Sequence, residues 1–398
     1  MRSTPLTLAA LAAAALVAAC GGGSSENTFS ANGTMRLSIT DAPACGYDHV
    51  YVTVEKVRVH QSSSAGDNDS GWSEVVLAPS KRVDLLTLTN GTLEPLGQTL
   101  LPAGTYTQMR LVLAANTAAT PLANSIVPTG GVETALTTPS GQQSGLKMNV
   151  SLDVPADKIA DFAIDFDACK SFVKAGNSGK YLLKPVLSVI PMLSDAGLRI
   201  VGYLDPALAI AGTSVSAQSA GLPVRATPPD ATGKFVLYPV PVGSYDLLIT
   251  AAGRVNAVMT GVPVVSTAFT TIGSSTARVL TPAASAPSGA ASGVITANAS
   301  VANTGGAVRA SQTFSGGPTV EMGYGGADSV TGVYSMSLHT DASAKTAYVA
   351  GATTFTFTSD ATTAGKYRLE ASATGFAAPK TADVTLTGAG ITTNFVFP

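Results

Sequence analysis

Short runs with an apolar residue at every second position recur along this chain, separated by glycine, proline, asparagine and aspartate. Successive side chains of a strand point to opposite faces, so such runs specify strands with one buried face. Met35, Leu37 and Ile39 alternate with Thr34, Arg36, Ser38 and Thr40, and Asp41-Ala42-Pro43 then ends the run. Between His49 and His60, Val50, Val52 and Val54 share one face, but Val57 and Val59 have the opposite parity. A slip of one residue sends every later side chain to the other face unless a bulge absorbs it, so the pattern predicts a β-bulge at Glu55-Lys56. Further strands are expected over 72–77, 83–88, 106–113 and 181–191, with a tight turn at Asn90-Gly91. Over 161–166, Phe162, Ile164 and Phe166 should face inward, and Asp161 and Asp165 outward. Only 156–160 and 168–174 look even weakly helical.

Of the 398 residues, 45% are hydrophobic and 12% charged. At about 100–200 residues per domain the chain holds several domains. The charged share is about half the usual one, while alanine, glycine, serine, threonine and valine abound. That palette suits short strands and tight turns in an exported all-β protein. A net charge of −2 supplies none of the positive surface that nucleic-acid binding requires.

The N terminus supplies an address. Arg2 is followed by an uncharged apolar stretch over 6–17, then Ala18-Ala19-Cys20 and Gly21-Gly22-Gly23-Ser24-Ser25. The apolar stretch is too short for a bilayer, which needs about 20 residues, and reads as a secretory signal peptide. With Val17-Ala18-Ala19-Cys20 at the cut it resembles the bacterial lipoprotein signal. That resemblance implies removal of 1–19, lipidation of Cys20 and a flexible tether over 20–32. Gly21 resembles the default outer-membrane signal of Gram-negative lipoproteins, which implies a membrane partner through the lipid and leaves open the face of the membrane. In an oxidising compartment the two remaining cysteines, Cys45 and Cys169, are expected to pair; the alternative is two buried thiols. A loop of roughly 120 residues closed in this way is worth on the order of 4–5 kcal/mol.

Residues 33–193 read as a first domain, followed by a hinge over 194–197. A second module runs over 197–272, a Ser/Ala/Pro/Gly-rich linker over 273–292, and a third module over 293–398. Modules two and three repeat each other. Val215-Ser216-Ala217-Gln218 matches Val308-Arg309-Ala310-Ser311-Gln312, and Thr232-Gly233-Lys234-Phe235 matches Thr331-Gly332-Val333-Tyr334. Gly243-Ser244-Tyr245 matches Gly365-Lys366-Tyr367, and module three carries an insertion over 339–362. Each module is expected to supply about seven short strands, which fits β-sandwiches in tandem.

The stretch 33–191 resembles a bacterial lipoprotein domain of unknown function, family 4382. The resemblance is carried by Leu37-Ser38-Ile39-Thr40-Asp41-Ala42-Pro43, the Val50 to Val59 strand, Trp72, Val83-Asp84-Leu85-Leu86, Asn90-Gly91, Leu101-Pro102-Ala103-Gly104-Thr105-Tyr106, Asp165-Phe166-Asp167 and Leu183-Lys184-Pro185. Residues 198–265 resemble the carboxypeptidase-regulatory-like fold, which implies a seven-stranded sandwich related to transthyretin and to some carbohydrate-binding domains. The third module resembles the same class.

Candidate chemistry is sparse. Nucleophilic catalysis needs a nucleophile, a base and an orienting group, and no such motif is present. His49 and His60 flank one strand, too far apart at about 3.3 Å per residue to share a metal. Asp67-Asn68-Asp69-Ser70-Gly71 alternates oxygen donors as calcium loops do, but lacks the later glutamate; the other reading is a polar hairpin tip. Asp161, Asp165 and Asp167 share a parity, so one strand face could present three carboxylates to calcium or a sugar, or simply to water. Trp72 could stack a pyranose or fill a core. Asp41 reads as an Asx-turn or a ligand group. No cofactor is expected unless calcium binds. The expectation is an all-β chain of tandem antiparallel β-sandwiches, transthyretin- or immunoglobulin-like, behind a lipoprotein signal peptide. Its role would be that of a non-enzymatic cell-envelope lipoprotein at the outer membrane, with an envelope protein or a glycan as partner; the alternative is a carbohydrate-binding protein.

Overall fold

The computed structural model describes residues 31–41, 46–138, 144–192, 197–209, 212–297 and 305–398. Two sheets make up the first module. One runs Leu187–Met192, Ile159–Phe166, Asn32–Asp41, Glu94–Pro102. Asn32–Asp41 is antiparallel to Glu94–Pro102 but parallel to Ile159–Phe166, so the sheet is mixed. The other is built around Tyr47–His60, which pairs with Ser73–Asp84, Gly104–Leu113 and Ser125–Pro128. Between the sheets lie Met35, Leu37, Ile39 and the five valines 50, 52, 54, 57 and 59, all fully buried. They can share one core because pairing slips between Val54 and Lys56. Glu55 is the extra residue, and the bulge restores the later valines to the inner face, as their parity demands.

Asn90 and Gly91 both take positive φ, 55° and 76°, the mirror-image turn such a pair favours. Where weak helix was expected, Ile159 already begins a strand, and only Ala168–Ser171 is helical before Phe172–Lys174 returns to strand. The hinge over 194–197 lies, Gly197 apart, outside the described residues.

Modules two and three have one topology. Ile200–Tyr203 sits between antiparallel Lys234–Leu237 and parallel Thr270–Ile272. Gly289–Ala297 sits likewise beside antiparallel Val333–Leu338 and parallel Ile391–Thr392 and Phe395–Phe397. The second sheets run Leu222–Thr227, Ser214–Ser219, Gly243–Thr250, Ala257–Val264 and Thr319–Gly326, Ala307–Thr313, Lys366–Ser372, Lys380–Thr385. Small repeated devices serve both modules. Gly233 and Gly332 have φ of 82° and 68°, and a Cβ at either would collide with the carbonyl oxygen of Leu204 or Ile295. The Tyr245 hydroxyl donates to the Pro241 carbonyl at 2.7 Å and that of Tyr367 to His339 at 2.6 Å. Tyr106 in the first module bonds Pro102 at 2.8 Å in the same four-residue step as Tyr245, so each tyrosine pins a strand entry to the chain before it.

The linker expected over 273–292 needs correction, and the insertion of module three joins another module. The segment 273–292 does not hang free. Val279 is buried in the second core and bridges Leu204, Val255 N–H bonds the Pro282 carbonyl, and Gly289 already starts a strand. Small residues suit a tether, but they also permit close backbone approach, and here the second use prevails. The insertion in module three does not stay in module three. Its strand Ala344–Ala347 adds in parallel to Ala257–Val264 of module two, and Tyr348, Phe355 and Phe357 pack on the second core.

Candidate functional site

The residues singled out by sequence fall in two places. The first is a loop at the end of Tyr47–His60. Trp72 donates its indole N–H to the Gly66 carbonyl at 2.9 Å. The guanidinium carbons of Arg58 and Arg110 lie 4.5 and 4.8 Å from its ring centroid, and the His60 ring is 5.1 Å away. It is half-buried, neither a core residue nor an open stacking platform. Asp67 pairs with the buried Arg110, and Asp69 accepts from the Gly66 N–H at 2.9 Å. The loop's two carboxylates therefore turn to different partners. Among the described residues no group of three or more His, Cys, Asp or Glu is placed to hold a metal. His49 meets Asp84 at 2.6 Å, far along the strand from His60.

The second place is the junction of the three modules, and there the expected row of carboxylates comes apart. Asp161 stays near the surface, its two oxygens accepting from Nε and Nη2 of Arg36. Asp167 lies past the strand end, where its carboxylate accepts from the Lys170 N–H at 3.1 Å and caps the helical turn. Asp165 does not face water. It is 7% exposed, because module two lies over this face of Ile159–Phe166. The Arg225 guanidinium donates to its carboxylate and to the Thr40 hydroxyl. Burial pushes Asp165 above the ordinary carboxylate value against the pull of Arg225, and burial likewise raises Asp167 against the pull of Lys170.

Module three completes the junction. Lys170 reaches Glu321 at 2.9 Å, and Arg309 lies 3.6 Å from the same carboxylate. Gln218 of module two donates to the Glu321 carbonyl and accepts from its N–H, both at 2.8 Å. Asp328 accepts from the Gly176 N–H at 2.7 Å, and the Ser329 N–H bonds the Lys174 carbonyl at 3.0 Å. Sequence reading missed Lys170, Arg225, Gln218 and Glu321 as site residues. Gln218 left a signal, since the repeat places Gln312 at the matching position, also buried and fully bonded. Two cavities flank Lys170. One, of about 130 Å³, is lined by Asp165, Asp167 and Arg225. The other, of about 440 Å³, opens between modules one and three.

Asp41 is fully buried and accepts from the Ala168 N–H at 2.8 Å, a tie across the module in addition to any local turn. Cys169 lies next to that contact and is engaged rather than free. Cys20 and Cys45 lie outside the described residues, as do the signal peptide and most of the tether.

Residues 32–185 match the model of a domain of unknown function (DUF4382), in agreement with the resemblance of the first module. No curated protein matches the chain. Among solved structures, a type II cohesin–X–dockerin complex from Acetivibrio cellulolyticus is 21% identical over 22% of this chain and 58% of that one, with a TM-score of 0.19. The Bacillus anthracis TIE protein is 11% identical over 92% of this chain and 50% of that one, with a TM-score of 0.18. The Corynebacterium diphtheriae major pilin SpaA is 10% identical over 92% of this chain and 99% of that one, with a TM-score of 0.19. This chain thus spans 58% of the length of the first and half that of the second.

Proposed function

We propose that the chain is a lipid-anchored cell-envelope protein without chemistry of its own, whose three β-sandwiches are locked together to present their outer surface to another envelope component. One observation carries the reading: the charged groups offered for chemistry are spent on ties between elements. Asp67 holds Arg110, Asp161 holds Arg36, Asp165 holds Arg225, and Asp167 caps a helical turn. A general acid or base must be within reach of a reacting proton, whereas these carboxylates are turned toward their structural partners. Cys20 would carry the lipid, with the polar tether behind it. Among the described residues no helix is long and apolar enough to cross a membrane.

A Cys45–Cys169 disulfide belongs to the same proposal. Both flanks of Cys45 dock beside Cys169: Asp41 bonds Ala168, and the Tyr47 ring meets Phe172 and Tyr181 edge-on at 6.2 and 6.0 Å. A glycan-binding role would have to use a surface other than Trp72, whose ring already lies under two guanidinium groups.

Labelled palmitate supplied to a Gram-negative host expressing the full chain tests the anchor. The wild-type chain is expected to take up label and sediment with outer membranes, and Cys20→Ser to do neither. Equal labelling of both would overturn the reading.

A further inference from the structure

We infer that the cleft between the first and third modules binds a small monocarboxylate with an apolar body, held by Lys184 and Tyr324. The inference stands on the cleft alone and does not depend on the lipid anchor. The cavity holds about 440 Å³, within the range of about 300–1,000 Å³ typical of small-molecule sites. Its walls include apolar Val173, Leu183 and Val186 beside Lys184, Tyr324 and the Thr374 hydroxyl.

Lys184 is the anomaly. Its Nζ is out of contact with water and has no hydrogen-bond partner. It packs against the backbone at Gly305, where a Cβ would lie 3.0 Å from Nζ. No carboxylate acts on it, and burial alone pushes its ammonium below the ordinary lysine value. An ammonium buried without a partner is costly, and an anion in the cleft, met by a turn of the Lys184 side chain away from Gly305, would remove that cost. Lys170 lines the same cleft but is already paired with Asp167 and Glu321.

Tyr324 supplies the second donor. Its ring lies 5.2 Å from Lys170 Nζ. Burial, then Asp167 and Glu321, push its hydroxyl up to about 12, so it stays protonated and able to donate at neutral pH. Those two carboxylates also decide the ligand's charge. A single negative charge on Lys184, which neither carboxylate reaches, meets less of their repulsion than a doubly charged phosphate that also bonds Tyr324, on which both act. The apolar walls ask for a hydrocarbon body behind the carboxylate.

Calorimetric titration of the full chain in a non-ionic detergent, with hexanoate and with inorganic phosphate, tests the site. Hexanoate is expected to bind saturably. Lys184→Met should weaken it by about tenfold or more, the scale of a lost charge-assisted hydrogen bond, with a melting temperature equal to or above that of the wild type because an unpaired buried charge has gone. Tyr324→Phe removes one oxygen and should weaken binding several-fold while the chain remains folded, which keeps the test alive should Lys184→Met fail to fold. Absence of saturable hexanoate binding, hexanoate binding unchanged in both variants, or binding of phosphate in place of hexanoate would each overturn the inference.

Discussion

Arg225 sits in the strand Leu222–Thr227 of module two, yet both Asp165 and Thr40, to which it donates, belong to module one. Only 2% of its side chain is exposed, and 10% of that of Asp165. In such a pair the loss of one partner strands the other charge. Arg225→Met is therefore expected to destabilise the chain by about 3–5 kcal/mol, and Arg225→Met with Asp165→Leu to recover most of that loss. Urea denaturation checks both, and a double variant no better than the single one would contradict the account. Trp72 offers a second probe at this scale, because it is the only tryptophan. Arg110→Met removes a guanidinium from over the ring and the partner of Asp67. The expected result is altered emission and easier quenching by acrylamide; a spectrum and quenching identical to those of the wild type would show that Arg110 does not hold the loop.

At the scale of elements, turns capped by aspartate recur. Asp230 accepts from Thr232 and Lys234 N–H, Asp328 from Val330 and Thr331 N–H, and Asp360 from the Thr362 N–H. For Asp328, burial raises the carboxyl, but the hydrogen bonds from Thr331, Val330 and Gly176 together outweigh it and hold the group below its ordinary value. A depressed carboxylate contributes stability that is present above the unfolded value and lost as pH falls through the folded one. Asp165 and Asp167, raised by burial, act with the opposite sign: their contribution is present at low pH and lost as pH rises through the raised value. Asp328→Asn should thus melt below the wild type at neutral pH, with the gap closing as pH falls through the depressed value of Asp328. A gap constant with pH in thermal melts would contradict this.

Elements also show what was legible. The bulge at Glu55 could be read because a two-residue period makes a one-residue slip visible. The buried outer faces in module two left a signal too. Leu247-Leu248-Ile249 and Ala257-Val258-Met259 are unbroken apolar runs, and such runs mark strands covered on both sides. Leu248 and Val258 do pack into the third core, while Leu247, Ile249, Ala257 and Met259 pack into the second.

Across the whole molecule, the modules are joined by more than their linkers. Module two lends side chains to the third core, module three lends a strand to the second sheet, and both close on module one at Arg225, Lys170 and Glu321. The proposed Cys45–Cys169 bond would staple the first module beside this junction. Non-reducing peptide mapping of the full chain should find the two peptides linked, and reduction should cost on the order of 4–5 kcal/mol. Two freely alkylated thiols would end that proposal.

By itself the sequence determined the local matters: alternation set the strands and their inner faces, parity set the bulge, and glycine and tyrosine set the repeated turns of modules two and three. Those features depend on neighbours a few residues away, so they are written in order along the chain. Tertiary structure alone decided which outward faces would meet water. Asp165 alternates as a solvent-facing residue should, and is buried because a strand 60 residues on brings Arg225 over it. Lys184 and Tyr324, far apart in the chain, line one cleft for the same reason. Burial of a polar group depends on what packs over it, and a single strand's pattern carries no record of that.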